Sequence, residues 1–147
     1  MTKIPSKTWV MVGDGEKALF LRNDGDDVFP NLTVVREMSN DNPSTREQGT
    51  DAPGRLSDGP GPHSSAVEET DWHRIEKARF AHEIAERLYK AAHRGDYSDL
   101  IVAAPPQVLG ELRKAFHQEV KERILFDVDK ELTNQPVDRI EKALTQR

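Results

Sequence analysis

The chain contains no cysteine, which removes disulfides, thiol nucleophiles and thiolate metal sites together. Long hydrophobic runs are absent too. The basic start "MTKIPSK" is followed only by "TWVMVG", too short for the apolar core of a secretory signal, and no segment approaches the length of a membrane span. Hydrophobic residues are 35% of the 147 positions and charged residues 32%, so the chain can build one modest core under a wet surface. Basic residues are in the minority, 21 against 26 acidic, for a formal charge of −5. Proteins that grip nucleic acid by bulk electrostatics have the opposite balance. DNA is therefore not an expected partner, and any RNA contact must be local. These absences point to a single cytoplasmic domain over 1–147 with no membrane insertion.

What is present is an ordered set of short elements. "TWVMVGD" (8–14) is an apolar, β-branched run ending in a Gly-Asp-Gly turn, and "KALFLRN" (17–23) follows at hairpin distance. Ala18 and Phe20 fall on one face of that second strand, Leu19 and Leu21 on the other. "NLTVVREM" (31–38) comes after a connection marked by "NDGDD" and Pro30, completing an antiparallel meander. From about Glu68 to His93 the spacing predicts a long helix, with Ala78, Ala81, Ala85, Leu88 and Ala92 in one narrow stripe and Gly95 as its stop. "DLIVAAPP" (99–106) is a strand buried on both faces. Pro106 opens a helix through "QVLGELRKAF", and "RILFDVD" (123–129) reads as a last strand with Ile124, Phe126 and Val128 on one face. A short helix from Pro136 to about Leu144 closes the chain.

The order is β-β-β-α-β-α-β-α. Right-handed crossovers set the fourth strand beside and parallel to the first. The expected fold is therefore α/β, a five-stranded mixed sheet of order 3-2-1-4-5 with helices on its faces, the ribonuclease-H-like arrangement. Residues 39–66 interrupt it. Leu56 is their only large aliphatic residue, and "GTDAPGRLSDGPGPHSSA" (49–66) is rich in glycine, proline and serine. A structureless connection of this length is functional or flexible in most compact domains.

Open sheets place ligands at the carboxyl ends of the strands where the order reverses. Here that crevice lies between the first and fourth strands, beside Asp14, Pro105 and Gln107. A ribonuclease-H-type nuclease needs several carboxylates around two metals. Asp14 stands at the right end, but Ala103, Ala104 and Pro105 end the fourth strand. One carboxylate does not make a two-metal site, and Asp14 reads better as a turn-former.

The histidines do not cluster either. His73 and His82 are nine positions apart on one helix and so point about 180° apart. His93 suits the negative end of the helix dipole, His117 stands alone as a surface residue, and only His63 lacks a structural reason. Gly13-x-Gly15 is neither a dinucleotide fingerprint nor a phosphate-binding loop, and no G-x-S-x-G elbow occurs. Trp9 and Trp72 read as core anchors. The long helix carries Arg74, Lys77, Arg87, Lys90 and Arg94, a local basic flank.

"WVMVGDGEKALFL", "DAPGRLSDG", "FAHEIAERL", "DLIVAAPPQVLGELR" and "DVDKELTNQP" stand in an order that resembles the bacterial host-attachment protein family. That family looks like a relative of the middle domain of archaeal and eukaryotic peptide-release factors, whose topology is also ribonuclease-H-like. In those factors the loop before the long helix carries Gly-Gly-Gln. Residues 39–66 occupy the same place here, yet no Gly-Gly-Gln is present, and "REQGTD" is the nearest string. The catalytic glutamine does not carry over, which makes an enzyme the less favoured reading.

The resemblance carries over Asp51, Gly54, Arg55, Asp58 and His63 as binding residues. Arg55 offers a planar fork suited to phosphate or carboxylate, unless it pairs with Asp51 or Asp58 and merely pins the loop. It implies a cofactor-free binding protein that meets ribosomes or RNA through 39–66, with a homodimer as a further possibility. The alternatives are a small-molecule or nucleotide-binding enzyme at the Asp14 crevice, with the loop as lid, and a protein-interaction module of an attachment system.

Overall fold

The computed structural model describes residues 2–40 and 66–146. Its elements are β1 (Trp9–Gly13), β2 (Lys17–Asn23), β3 (Leu32–Ser39), α1 (Ala66–Arg94), β4 (Leu100–Ala103), α2 (Pro106–Ala115), α3 (Gln118–Lys121), β5 (Ile124–Val128) and α4 (Val137–Thr145). The sheet order is β3-β2-β1-β4-β5, as the sequence predicts. β1 pairs antiparallel with β2 and parallel with β4, Val12 lying opposite Leu19 on one side and Ala103 on the other. The carboxyl ends of β1 and β4 are thus neighbours at one end of the sheet.

Both faces are covered. On one, Met11, Ala18, Phe20, Leu100 and Val102 meet Phe80, Ala81, Ile84, Leu88 and Ala92 of α1, with Leu109 and Leu112 of α2 and Val120 of α3. Alanine at 81, 85, 91 and 92 lets α1 lie close against the strands. On the other face, Ile4, Val10, Val12, Leu21, Ile101 and Ala103 are covered by Leu132 and by Ile140 and Leu144 of α4. Gly95 stops α1 at φ +81°, donating to Ala92 O while Asp96 N reaches Ala91 O; this is the paired closure that a left-handed residue permits.

Both outer strands carry a bulge. Phe20 faces Arg36 and Leu21 faces Val34, so Val35 is an extra residue in β3. Leu100 faces Ile124 and Ile101 faces Phe126, so Leu125 is extra in β5. The second bulge overturns one expectation. Ile124 packs toward α1 and α2, while Phe126 and Val128 pack in the opposite core. An inserted residue reverses the alternation that period-2 reading assumes. The sequence reading also missed α3, a single turn between α2 and β5. Trp9 anchors as expected, stacked with Tyr97 at 5.1 Å and Phe20 at 6.3 Å between ring centroids. Trp72 does not; it is 43% exposed.

Candidate functional site

The Gly-Asp-Gly turn is the centre of the sheet end where β1 and β4 finish. Asp14 N donates to Lys17 O at 2.9 Å. The Asp14 Oδ1 atom accepts from the backbone N–H groups of Glu16 (2.7 Å) and Lys17 (2.8 Å). This is the carboxylate-capped turn that aspartate favours. Its Oδ2 accepts from Thr133 Oγ1 at 2.6 Å. Thr133 is buried in the connection from β5 to α4. Burial pushes the Asp14 carboxyl up, but the Thr133 hydroxyl, the two N–H groups and the Lys17 charge outweigh it and hold the group below its ordinary 3.8. The Gly-Asp-Gly turn and the "KELT" stretch are therefore joined by one hydrogen bond across 119 residues.

The base of the segment that follows β3 is clamped to the same turn. Asn40 N donates to Glu16 O at 2.6 Å, and Asn40 Nδ2 reaches Gly15 O at 3.4 Å. Arg79 of α1 donates to Asn40 Oδ1 at 2.6 Å and pairs with Glu76 (2.9 Å) and Glu83. Lys77 lies against the tip of the turn, since a Cβ built on Gly15 would sit 3.2 Å from its Cγ. Toward its start, α1 is exposed at every position from Trp72 to Ile75. Trp72 and, at 59% exposure, Ile75 are the large apolar side chains of that run.

The remaining candidates fall as follows. Pro105 precedes α2 as its N-terminal flanking residue, with no side-chain cap, and Gln107 is exposed in the first turn. The strand order brings both to the end that holds Asp14. A pocket of about 290 Å³ opens one strand further out, between α2 and β5, lined by Pro106, Leu109, Arg113, Asp127 and Asp129. Arg113 forks onto Asp127 there at 2.8 and 3.2 Å. Asp51, Gly54, Arg55, Asp58 and His63 lie outside the described residues, as does the expected flexibility of that loop. Among the described residues no group of three or more His, Asp or Glu is placed to hold a metal ion.

His117 is not the isolated surface residue that the sequence suggests. Its Nδ1 accepts from Glu119 N at 3.0 Å, capping α3, and its ring stacks on Tyr89 at 4.1 Å. His93 sits in the last turn of α1 and faces Glu119 at 3.5 Å. The basic flank of α1 is partly neutralised, because Arg94 pairs with Asp96 at 2.8 Å.

Sequence reasoning missed Thr133, Asn40 and Arg79. Threonine and asparagine in loop strings look like turn chemistry, and Arg79 looks like one more charge on a helix flank. Only the glutamates at i−3 and i+4 marked it as a held side chain.

No curated protein matches the chain at a significant level. The family model for bacterial archaeo-eukaryotic release factor family 12 matches residues 7–144. The match runs from just before β1 into the last turn of α4, and so takes in both the Asp14 turn and the Thr133 connection that closes on it. With nearly the whole sequence covered, the chain belongs to bacterial archaeo-eukaryotic release factor family 12.

Proposed function

We propose that the protein is a non-enzymatic, cytoplasmic binding module of release-factor middle-domain type. It meets the ribosome or its RNA with the end of the sheet from which the segment 41–65 departs. The observation that carries this reading is the clamp at that end. Arg79, Asn40 and the Gly15–Glu16 backbone tie the start of the segment to α1 and to the β1–β2 turn. The clamp makes Asn40, Arg79 and the β1–β2 turn a fixed surface at this end, and a contact made on it loses less freedom on binding. Arg55, set among glycines in that segment, supplies a planar donor fork for phosphate. Asp51, Gly54, Asp58 and His63 complete the contact.

Two features favour binding over catalysis. The chain has no Gly-Gly-Gln, and both oxygens of Asp14 are engaged by the protein itself. A small-molecule site at Asp14, Pro105 and Gln107 is correspondingly the weaker reading. A link to attachment to host cells, carried by the sequence resemblance, is indirect on this view.

The test is co-sedimentation of the purified protein with ribosomes at low and moderate salt, beside a variant lacking residues 44–62. The expected result is salt-sensitive pelleting that the deletion abolishes. Intact protein that stays in the supernatant at both salts, or a deletion that pellets as well as the parent, overturns the proposal.

A further inference from the structure

The opposite end of the sheet is built around a buried asparagine. Asn23 Nδ2 donates to the carbonyls of Ile4 (2.9 Å), Pro5 (3.2 Å) and Asp26 (3.3 Å). Its Oδ1 accepts from the N–H groups of Gly25 (2.9 Å) and Asn31 (2.8 Å). One side chain thus ties the amino-terminal arm to the β2–β3 connection. Asp26 Oδ1 then accepts from Val28 N (2.9 Å) and Phe29 N (2.7 Å). A Cβ on Gly25 would lie 2.3 Å from Phe29 O, so only glycine fits. The loop is fixed from within, and what it holds outward is Val28 and Phe29, 62% and 78% exposed.

A scattered exposed apolar residue is ordinary. Two adjacent ones on a loop with no freedom to turn them inward form a surface that loses little entropy when covered. The charges beside them have both signs: Lys3 stands 3.9 Å from Asp27, and Arg22 pairs with Asp24 at 2.6 Å. A rim of one sign suits a partner of the other. A rim that carries both signs can match a second copy of itself, each positive group meeting the other copy's negative one across a two-fold axis, as a symmetric contact requires. The bulged outer strands offer no competing route, because a bulge disrupts edge-to-edge pairing.

We infer that this end is the contact between two copies of the chain. Val28 and Phe29 of each copy pack against the same pair of the other, and Lys3 of each copy faces Asp27 of the other. The patch is small, below the roughly 1,200 Å² that a standard stable interface buries. Association is therefore reversible and depends on concentration.

Sedimentation velocity of the full chain from about 1 µM to about 1 mM tests it, the range in which small interfaces dissociate. The wild-type coefficient rises across that range toward the dimer value. Phe29→Ser weakens association at least about tenfold, with melting temperature unchanged because the ring lies in water. Lys3→Asp alone and Asp27→Lys alone stay monomeric, since like charges face each other across the axis. Their equimolar mixture associates. A wild type that is monomeric throughout, a Phe29→Ser variant that associates normally, or a mixture no better than its parts overturns the inference.

Discussion

Replacing Asn23 gives a sharp stability test, because a single side chain closes five hydrogen bonds at the end of β2. Asn23→Leu keeps the volume and removes them all. The Ile4 carbonyl is the partner in the fully buried bond, and leaving it unpaired costs about 1–3 kcal/mol. The other four bonds are partly wet, and water replaces them at a loss of about 0.5–1 kcal/mol each. These terms are not additive, and a total near 4 kcal/mol is expected. For a chain of this size that lowers the melting temperature by about 8–16 °C, read by circular dichroism.

Asn23→Asp separates geometry from hydrogen-bond polarity. It keeps the acceptor for Gly25 and Asn31 but turns a carboxylate oxygen toward three carbonyls. Burial and those carbonyls favour its neutral form in the folded state, raising its pKa there. A raised folded value gives stability that is present below the unfolded pKa and lost as pH rises through the folded one. The variant should therefore recover toward wild type as pH falls from 7 to 4. A Leu variant melting within about 2 °C of wild type, or an Asp variant with no such recovery, would refute the reasoning.

Asp14 should behave in the opposite sense. Its folded pKa is depressed, so its contribution is present above the unfolded value and lost as pH falls through the folded one. Asp14→Ala should cost about 2 kcal/mol at neutral pH, discounted for its partial exposure. Asp14→Asn, which still accepts from both N–H groups and can donate to the Thr133 hydroxyl, should cost less and flatten the acid limb of a denaturant-midpoint profile. If the two variants are equally destabilised at pH 7, the turn is not held as described. Arg55→Ala should weaken ribosome pelleting with the melting temperature unchanged; a large loss of stability with pelleting intact would place Arg55 in a structural pairing instead.

The sheet order was legible because its evidence is local. "TWVMVG", "KALFLRN" and "DLIVAAPP" each declare a strand by composition, and connection length with crossover handedness does the rest. The bulges at Val35 and Leu125 were hidden, since a one-residue insertion leaves the composition of a strand untouched while reversing its faces. Trp72 misled because a tryptophan at a helix start usually anchors; here it stands in a run of α1, 72 to 75, that is exposed at every position. At the candidate site, Asp14 was visible as a turn-former from its neighbouring glycines. Its bond to Thr133 was not, because no periodicity links residues so far apart. Asn23 was hidden for a related reason: at a strand end it reads as an ordinary breaker, and its five partners come from three separate stretches.

The contacts of α4 set an order of assembly. This last helix covers the face made by Val10, Val12, Ile101 and Ala103, and Glu141 within it accepts from Leu32 N at 2.9 Å. Thr145 O accepts from Thr2 N at 2.9 Å. During synthesis, β1, β2 and β3 emerge long before the element that shields them, and so does Asp14 before Thr133. One side of the nascent sheet stays bare until α4 has left the exit tunnel. The α1 face can begin to form before α4 has been made, but the other waits for that helix. A message truncated before α4 therefore yields a chain that presents an apolar sheet face to the quality-control machinery, and its expected fate is proteolysis.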